Sequence, residues 1–170
     1  MTAARSRVTT PQTRGGLGAC VGDAYLDSGG VSTALGNLPG YLWSAANGIN
    51  NSGQVVGYAQ TTNGNGLLYE AFVYTGGVTT GLGFLPGGGT SSVANGINDS
   101  GQIVGSGANS AGNTEAFLYS AGVMTGLGFL PGGTRSVAAA INNRGQVVGY
   151  ATDSSGNPQA FLDINGYFAP

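Results

Sequence analysis

The 170-residue chain has no histidine and no lysine, and it has a single cysteine, Cys20. The missing residues remove the most frequent general base and the usual Schiff-base nucleophile of enzymes. One cysteine cannot form a disulfide within the chain, and without histidine a zinc site of the Cys/His type cannot be built. We therefore expect no metal, no cofactor and no catalytic residue of the Ser–His or Cys–His kind.

Charge is equally scarce, at 7% of residues with a net charge of −2. Nucleic-acid binding needs clustered lysine and arginine to neutralise phosphates, so we expect no nucleic-acid partner. No apolar run approaches the ~18 residues that a membrane-spanning helix needs. Residues 1–17 lack the apolar stretch of a signal peptide, and we predict a disordered leader there, followed by one domain over residues 18–170.

The chain is rich in glycine, with 34 residues, and in internal repetition. A motif of the form Gly-Ile-Asn-x-x-Gly-Gln-Val-Val-Gly occurs at Gly48–Gly57, and it returns with small changes at Gly96–Gly105 and Ala140–Gly149. The distance from its Ile to its last Gly is 8 residues in every copy. Constant spacing of this kind indicates paired strands, which lose their register when a residue is inserted.

A second motif, beginning Ala-Phe, starts at Ala71 and Ala116, with fainter copies at Ala24 and Ala160. These starts are separated by 47, 45 and 44 residues, and a repeat of ~45 residues is the size of a β-propeller blade. Both motifs place Asn, Ser and Gly between short β-branched or aromatic runs, which predicts two hairpins per repeat. The predicted repeats cover approximately residues 18–40, 41–88, 89–133 and 134–170.

The fold class that follows is an all-β repeat protein of four-stranded antiparallel blade-like units, β-propeller-like, with about 3.5–4 blades. Gly18–Gly22 is interpreted as a worn second strand of the first repeat. The ends leave two alternatives open. Either they complete a closed four-blade ring, or the chain is an open arc whose exposed edge strands pair with a second copy.

These motifs resemble the HAF repeat of probable bacterial extracellular repeat proteins. The resemblance is carried by Gly48–Gly57, Gly96–Gly105 and Ile141–Gly149, and by the Ala-Phe blocks at Ala71–Gly88 and Ala116–Gly133. It covers roughly residues 24–163. The resemblance implies a β-propeller-like protein that is extracellular or on the cell surface, and it carries no catalytic residues.

Two acids occupy the same position in successive repeats: Glu70 and Glu115 directly precede the alanine of the second motif. Asp23 and Gln159 stand at that position in the outer copies. Two carboxylates flanking a bond are the requirement of a glycoside hydrolase. The alternative is a strand-entry residue that forms hydrogen bonds, which the glutamine in the last copy favours.

Three aromatic residues lie in the joints between the motifs: Tyr41, Trp43 and Tyr69. Aromatic side chains on loops can stack on sugars or anchor a protein partner. The alternative is a local cap over the end blade.

We therefore expect a non-catalytic extracellular or cell-surface module, binding or scaffolding, that recognises a glycan or a protein. The predicted ligand-binding residues are Tyr41, Trp43, Tyr69, Glu70 and Glu115. One alternative is a carboxylate-dependent glycan hydrolase that uses Glu70 and Glu115. The other is a structural repeat protein that assembles with itself through exposed edge strands.

Overall fold

The structure, a computed structural model, describes residues 3–5, 23–28, 30–62 and 66–163, and for residues 3–5 it describes the backbone alone. Within these ranges it contains fourteen β-strands and no helix. The predicted all-β class is confirmed. Frequent glycine explains the absence of helix in these ranges, while Val, Ile, Phe and Tyr pack well on a pleated sheet.

The strands form four separate antiparallel sheets, in which strands that are neighbours in sequence pair with each other. The first sheet contains β1 (Ala3–Arg5), β2 (Tyr25–Ser28) and β3 (Val31–Ala34). The second contains β4 (Trp43–Ile49), β5 (Val55–Thr62), β6 (Leu67–Thr75) and β7 (Val78–Gly83). The third contains β8 (Ser92–Ile97), β9 (Ile103–Ala108), β10 (Thr114–Ser120) and β11 (Val123–Gly128). The fourth contains β12 (Ser136–Ile141), β13 (Val147–Thr152) and β14 (Pro158–Asp163).

The second and third sheets are the four-stranded blade-like units that the repeat predicts. The repeated motifs align β2 and β3 with the third and fourth strands of these complete units. They align β12, β13 and β14 with the first three. The two outer sheets are therefore the same unit with three described strands each.

One short strand falls within residues 1–17, the predicted disordered leader. Ala3–Arg5 form β1 and pair with β2, in the position of the second strand of a blade. The second strand was predicted at Gly18–Gly22, which, with Cys20, lies outside the described residues. For the rest of residues 1–17 the leader stays a prediction.

The tight turns follow the predicted chemistry. In the turn between β4 and β5, the Asn50 side-chain oxygen accepts hydrogen bonds from the backbone N–H groups of Ser52 and Gln54, at 3.1 and 3.0 Å. Gly53 closes this turn with φ of 77°. That conformation is costly for any residue with a Cβ, which explains why this glycine recurs in all three copies of the motif.

Apolar clusters fill the three boundaries between successive sheets. The first contains Ala24, Leu35, Leu38, Ala46, Val55, Ala59 and Phe72. The second contains Val56, Ala71, Leu82, Leu85, Ala94, Ile97, Ile103, Phe117 and Met124. The third contains Val104, Ala116, Leu127, Ala138 and Val147. Each sheet thus buries the faces that meet a neighbouring sheet, because an isolated hairpin is only marginally stable in water.

The sheets contact one another in chain order. Strand β1 contacts β4, strands β4, β5 and β6 contact β8, and strands β8, β9 and β10 contact β12. Within the described ranges no strand pairing joins the first sheet to the fourth. The closed ring and the open arc both stay predictions, because the two ends that distinguish them lie largely outside the described residues.

Candidate functional site

Three aromatic rings form a row across one face of the second sheet, called here the aromatic row. Trp43 on β4 and Tyr69 on β6 both lie opposite Gln60 of β5. Tyr58, two residues before Gln60, is on the same face because side chains alternate along a strand. The Tyr58 ring centroid is 5.4 Å from that of Trp43 and 5.6 Å from that of Tyr69. Tilted and edge-on ring pairs at these distances are favourable.

The aromatic row lies at the end of the sheet that carries the joints. Strand β4 begins at Trp43, and the connection from β5 to β6 joins the strands of Tyr58 and Tyr69. The tight turn at Asn50–Gly53 is at the other end. All three rings are half-buried, so the row leaves part of each ring open to solvent.

The row is polar at its edges but uncharged. Burial raises the pKa of the Tyr58 hydroxyl, and the neighbouring Tyr69 raises it further. Tyr58 is therefore neutral at physiological pH and offers a hydroxyl group rather than a charge. The Gln60 side chain adds an amide on the same face.

The equivalent positions of the other complete or partial sheets differ. The third sheet has Ser91 and Ser106 where the second has Trp43 and Tyr58. In the fourth sheet the pair is Arg135 and Tyr150, with the guanidinium carbon 5.9 Å from the ring centroid. In the part of the chain that the structure describes, the three-ring arrangement is thus confined to the second sheet.

Tyr41 and Glu70 lie on the other side of the second sheet. Glu70 directly follows Tyr69 on β6, so the two side chains point to opposite faces. The Tyr41 hydroxyl donates a hydrogen bond of 2.7 Å to Glu70 Oε2. Burial, this hydrogen bond and the charge of Glu70 raise the pKa of Tyr41 to about 12. Tyr41 packs against the apolar cluster between the first two sheets.

Glu70 and Glu115 play the same part in their two sheets. Glu70 Oε1 accepts a hydrogen bond of 3.3 Å from the Gly83 N–H, and Glu115 Oε1 accepts one of 3.1 Å from the Gly128 N–H. Each acceptor serves an irregularity in strand pairing, between β6 and β7 and between β10 and β11. The second oxygen of Glu115 accepts a hydrogen bond of 2.8 Å from Asn109. Both carboxylates are therefore hydrogen-bonded to their own sheet and to an adjoining segment.

The five predicted ligand-binding residues consequently fall in three places. Trp43 and Tyr69 meet through Tyr58 in the aromatic row. Tyr41 and Glu70 pair across the first boundary, and Glu115 lies in the third sheet. Among the hydrogen bonds of the described side chains, none joins Glu70 to Glu115.

A cavity of about 300 Å³ lies where the turns of three sheets meet. It is lined by three copies of Ile-Asn-Asn or Ile-Asn-Asp: Ile49–Asn51, Ile97–Asp99 and Ile141–Asn143. The Asn50 side chain donates to the Asn98 carbonyl and the Asn98 side chain to the Asn142 carbonyl, both at 3.0 Å. The amides around the cavity thus tie successive sheets together.

Asp99 occupies the middle of this arrangement. Its carboxylate accepts hydrogen bonds from the Asn51 backbone and side chain, at 2.9 and 2.7 Å, and from the Asn143 side chain at 2.7 Å. The bonds from Asn51, together with the one from Asn143, hold the pKa of Asp99 below its usual value. Both oxygens of the Asp99 carboxylate therefore accept hydrogen bonds from within the protein.

Two features of these sites were not predicted from the sequence. Tyr58 was not among the candidates, although the hairpin register puts it beside Trp43 once β4 and β5 are paired. The repeated asparagines were interpreted as turn formers. They are turn formers, but they also bond to the next sheet 44 to 48 residues along the chain.

Two further classes of site were sought among the described residues. No group of three or more His, Cys, Asp and Glu side chains there is arranged to hold a metal ion. Nor do those residues include a helix with the length and apolar character needed to cross a membrane.

Comparison of the chain with family models, with curated proteins and with solved structures found no match in any of the three.

Proposed function

We propose that the chain is a non-catalytic binding or scaffold module of the cell surface or extracellular space, and that it recognises glycans at the aromatic row. The extracellular setting rests on the resemblance of its motifs to the HAF repeat. The glycan class rests on the row itself, which is the single observation that supports the proposal most directly.

Trp43, Tyr58 and Tyr69 present partly open rings at fixed spacing on three paired strands. Aromatic side chains offer a large apolar area at a small entropy cost because they have few rotatable bonds. The apolar C–H face of a sugar ring can lie on such a surface. Gln60 and the tyrosine hydroxyls can then bind sugar hydroxyl groups. A row without charge suits a neutral glycan better than a phosphate or a nucleic acid.

A glycan hydrolase that uses Glu70 and Glu115 is the alternative from another class. Its chemistry needs one carboxyl group with a proton and a second one free to attack or to activate water. Here each carboxylate accepts a backbone N–H and a further side-chain donor, within its own sheet or from the adjoining segment. These contacts favour a structural role for both.

A glycan array with the purified chain tests the proposal. Wild type should bind a restricted set of glycans, and Trp43→Ala or Tyr58→Ala should reduce the signal by about fivefold or more, since each stacking contact is worth ~1 kcal/mol or more. Tyr150→Ala is the matched control, because it removes the tyrosine at the equivalent position of the fourth sheet. Equal loss in the control, or full binding by Trp43→Ala, would reject the aromatic row as the site.

The same preparation separates binder from enzyme. Glu70→Gln and Glu115→Gln keep a hydrogen-bond acceptor at the strand irregularity, so they should fold and bind glycan as wild type does. Release of reducing sugar by wild type that is lost in both variants would instead establish the hydrolase.

A further inference from the structure

One broad face of the fourth sheet carries apolar side chains that no other described residue covers. Val148 is 44% exposed and Leu162 is 62% exposed. Val56 and Val104, at the position of Val148 in the two preceding sheets, are fully buried at 0%. Ala160 is exposed as well, whereas its equivalents Ala71 and Ala116 are buried. The face is the one that in the second and third sheets packs against the sheet that follows.

Strand β12, the first strand of the fourth sheet, lacks the asparagine and the glycine by which the second and third sheets hold the sheet that follows. In the second sheet the Asn47 side chain donates to the Ala94 carbonyl at 2.8 Å, and in the third the Asn95 side chain donates to the Ala138 carbonyl at 2.7 Å. The glycine after each asparagine allows the two strands to approach closely. For example, a Cβ on Gly96 would meet the Ala140 Cα at 3.3 Å.

In the fourth sheet this Asn-Gly pair is replaced by Ala139–Ala140, and both alanines are exposed. The replacement removes the amide donor and adds two methyl groups. A further sheet of the same repeat could not dock as closely here, so the fourth sheet is built as a terminal one. At these two positions the open face is more apolar than the faces it repeats, whereas Arg135 adds a charge at the position of Trp43.

The outer face at the other end of the array does not complement this surface. Asp27 and Ser32 of the first sheet are exposed, and Ser32 bonds Asp27 at 3.4 Å. Their equivalents in the third sheet are Tyr119 and Met124, which pack in the apolar cluster with the second sheet. A polar outer face is what a capping repeat carries. Head-to-tail packing would set this polar face against Val148 and Leu162.

We propose that the uncovered face of the fourth sheet binds the same face of a second copy of this chain, with two-fold symmetry. The contact extends the packing mode of the three boundaries inside the chain, sheet face on sheet face. It differs from the edge-to-edge pairing considered from the sequence. Like faces match in a two-fold contact because each copy supplies the same apolar patch.

The size of the face sets the strength of the contact. Three strands of six residues cover about 20 by 15 Å, or roughly 300 Å² of sheet. A stable interface buries ~800 Å² on each partner. The dimer is therefore weak and reversible, and it forms as the concentration of the chain rises.

Sedimentation velocity of the full chain over a wide range of micromolar concentration tests this contact. Wild type should shift from the monomer mass toward the dimer mass as concentration rises. Leu162→Lys and Val148→Lys should weaken the association by about tenfold or more, because a charge would be buried against its own copy. Val123→Lys, which changes a valine that is 60% exposed at the start of β11, should associate as wild type does.

Circular dichroism checks that each variant is folded, and Leu162→Ser is a milder second variant that should also weaken association. A wild type that stays monomeric throughout the range would overturn the proposal. So would a dimer that survives both lysine variants. Side-chain labelling gives a further check: a monomer in which Leu162 is protected would show that another part of the same chain covers this face, which also overturns it.

Discussion

Ser92 Oγ accepts a hydrogen bond of 2.9 Å from the Ala71 backbone N–H, across the boundary between the second and third sheets. The same hydroxyl donates 2.6 Å to the Gly83 carbonyl. Ser44 and Ser136 make the same pair of bonds at the other two boundaries. In each of the second, third and fourth sheets, a buried serine therefore bonds two backbone groups in or beside the strands of the preceding sheet.

We expect Ser92→Ala to lower the free energy of unfolding by about 1–3 kcal/mol, because it leaves the buried Ala71 N–H and Gly83 carbonyl without this partner. Urea unfolding followed by circular dichroism measures the change. Ser91→Ala alters the preceding residue, whose side chain is not part of this link, and should cost less than about 0.5 kcal/mol. Equal losses in both variants would contradict the role given to Ser92.

The turn between β10 and β11 contains a residue in an unfavourable conformation. Ala121 has φ of 51°, whereas the equivalent residue of the second sheet is Gly76, with φ of 59°. A left-handed conformation costs a residue with a Cβ roughly 1 kcal/mol. Ala121→Gly should therefore stabilise the protein by up to about 1 kcal/mol, and Gly76→Ala should destabilise it by a similar amount. Thermal unfolding of the two variants checks the sign, and a shift in the same direction for both would contradict the explanation.

The burial of Tyr41 and its hydrogen bond to Glu70 together predict a loss of stability at alkaline pH. The pKa of Tyr41 is raised from 10.0 to about 12 in the folded chain. Its contribution is therefore fully present below pH 10.0 and is lost as pH rises toward 12, where the folded chain must also release the proton. Tyr41→Phe should be less stable than wild type at neutral pH and should fall less steeply over this range. Tyr150→Phe leaves the bond in place and should keep the slope of wild type in urea unfolding at each pH.

Asp99 predicts the opposite dependence at acid pH. Its pKa lies below the ordinary value of 3.8 because it accepts hydrogen bonds from Asn51 and Asn143. The stability it contributes is present above pH 3.8 and is lost as pH falls through the lowered pKa. Asp99→Asn should remove this part of the acid sensitivity. A carbon-13 NMR titration that placed the Asp99 carboxyl at or above 3.8 would contradict the assignment.

The hairpins could be predicted from the sequence because their determinants are local. Asn50 and Gly53 define a turn whatever surrounds them, and fixed spacing defines the pairing of β4 with β5. Phe84 shows the limit of this reasoning. Its apolar character alone would place it in the core beside Leu82 and Leu85, but it follows the end of β7 and is 37% exposed, while the two leucines are buried.

The candidate site could be predicted only in part. Trp43 and Tyr69 were predicted as ligand-binding residues because they lie in the joints between the repeated motifs, and the second sheet places both in the aromatic row. Strand register places Tyr58 beside Trp43 and Tyr69. Glu70 is not part of the aromatic row, because side chains alternate along β6 and its side chain lies on the opposite face. The contacts of Asn50 and Ser92 with other sheets depend on how whole sheets face each other, which no local pattern encodes.

Because the sheets contact one another in chain order, the boundaries between them determine how a repeat unit could be added to the chain. Each described sheet meets only the one before it and the one after it through substantial contacts, so the energy of the array is close to a sum over units and boundaries. Duplicating an internal unit with its serine and asparagines would supply a matching new boundary and disturb none of the others. The Ala139–Ala140 pair lacks the asparagine and glycine of such a boundary, so a unit added after the fourth sheet could not dock as closely.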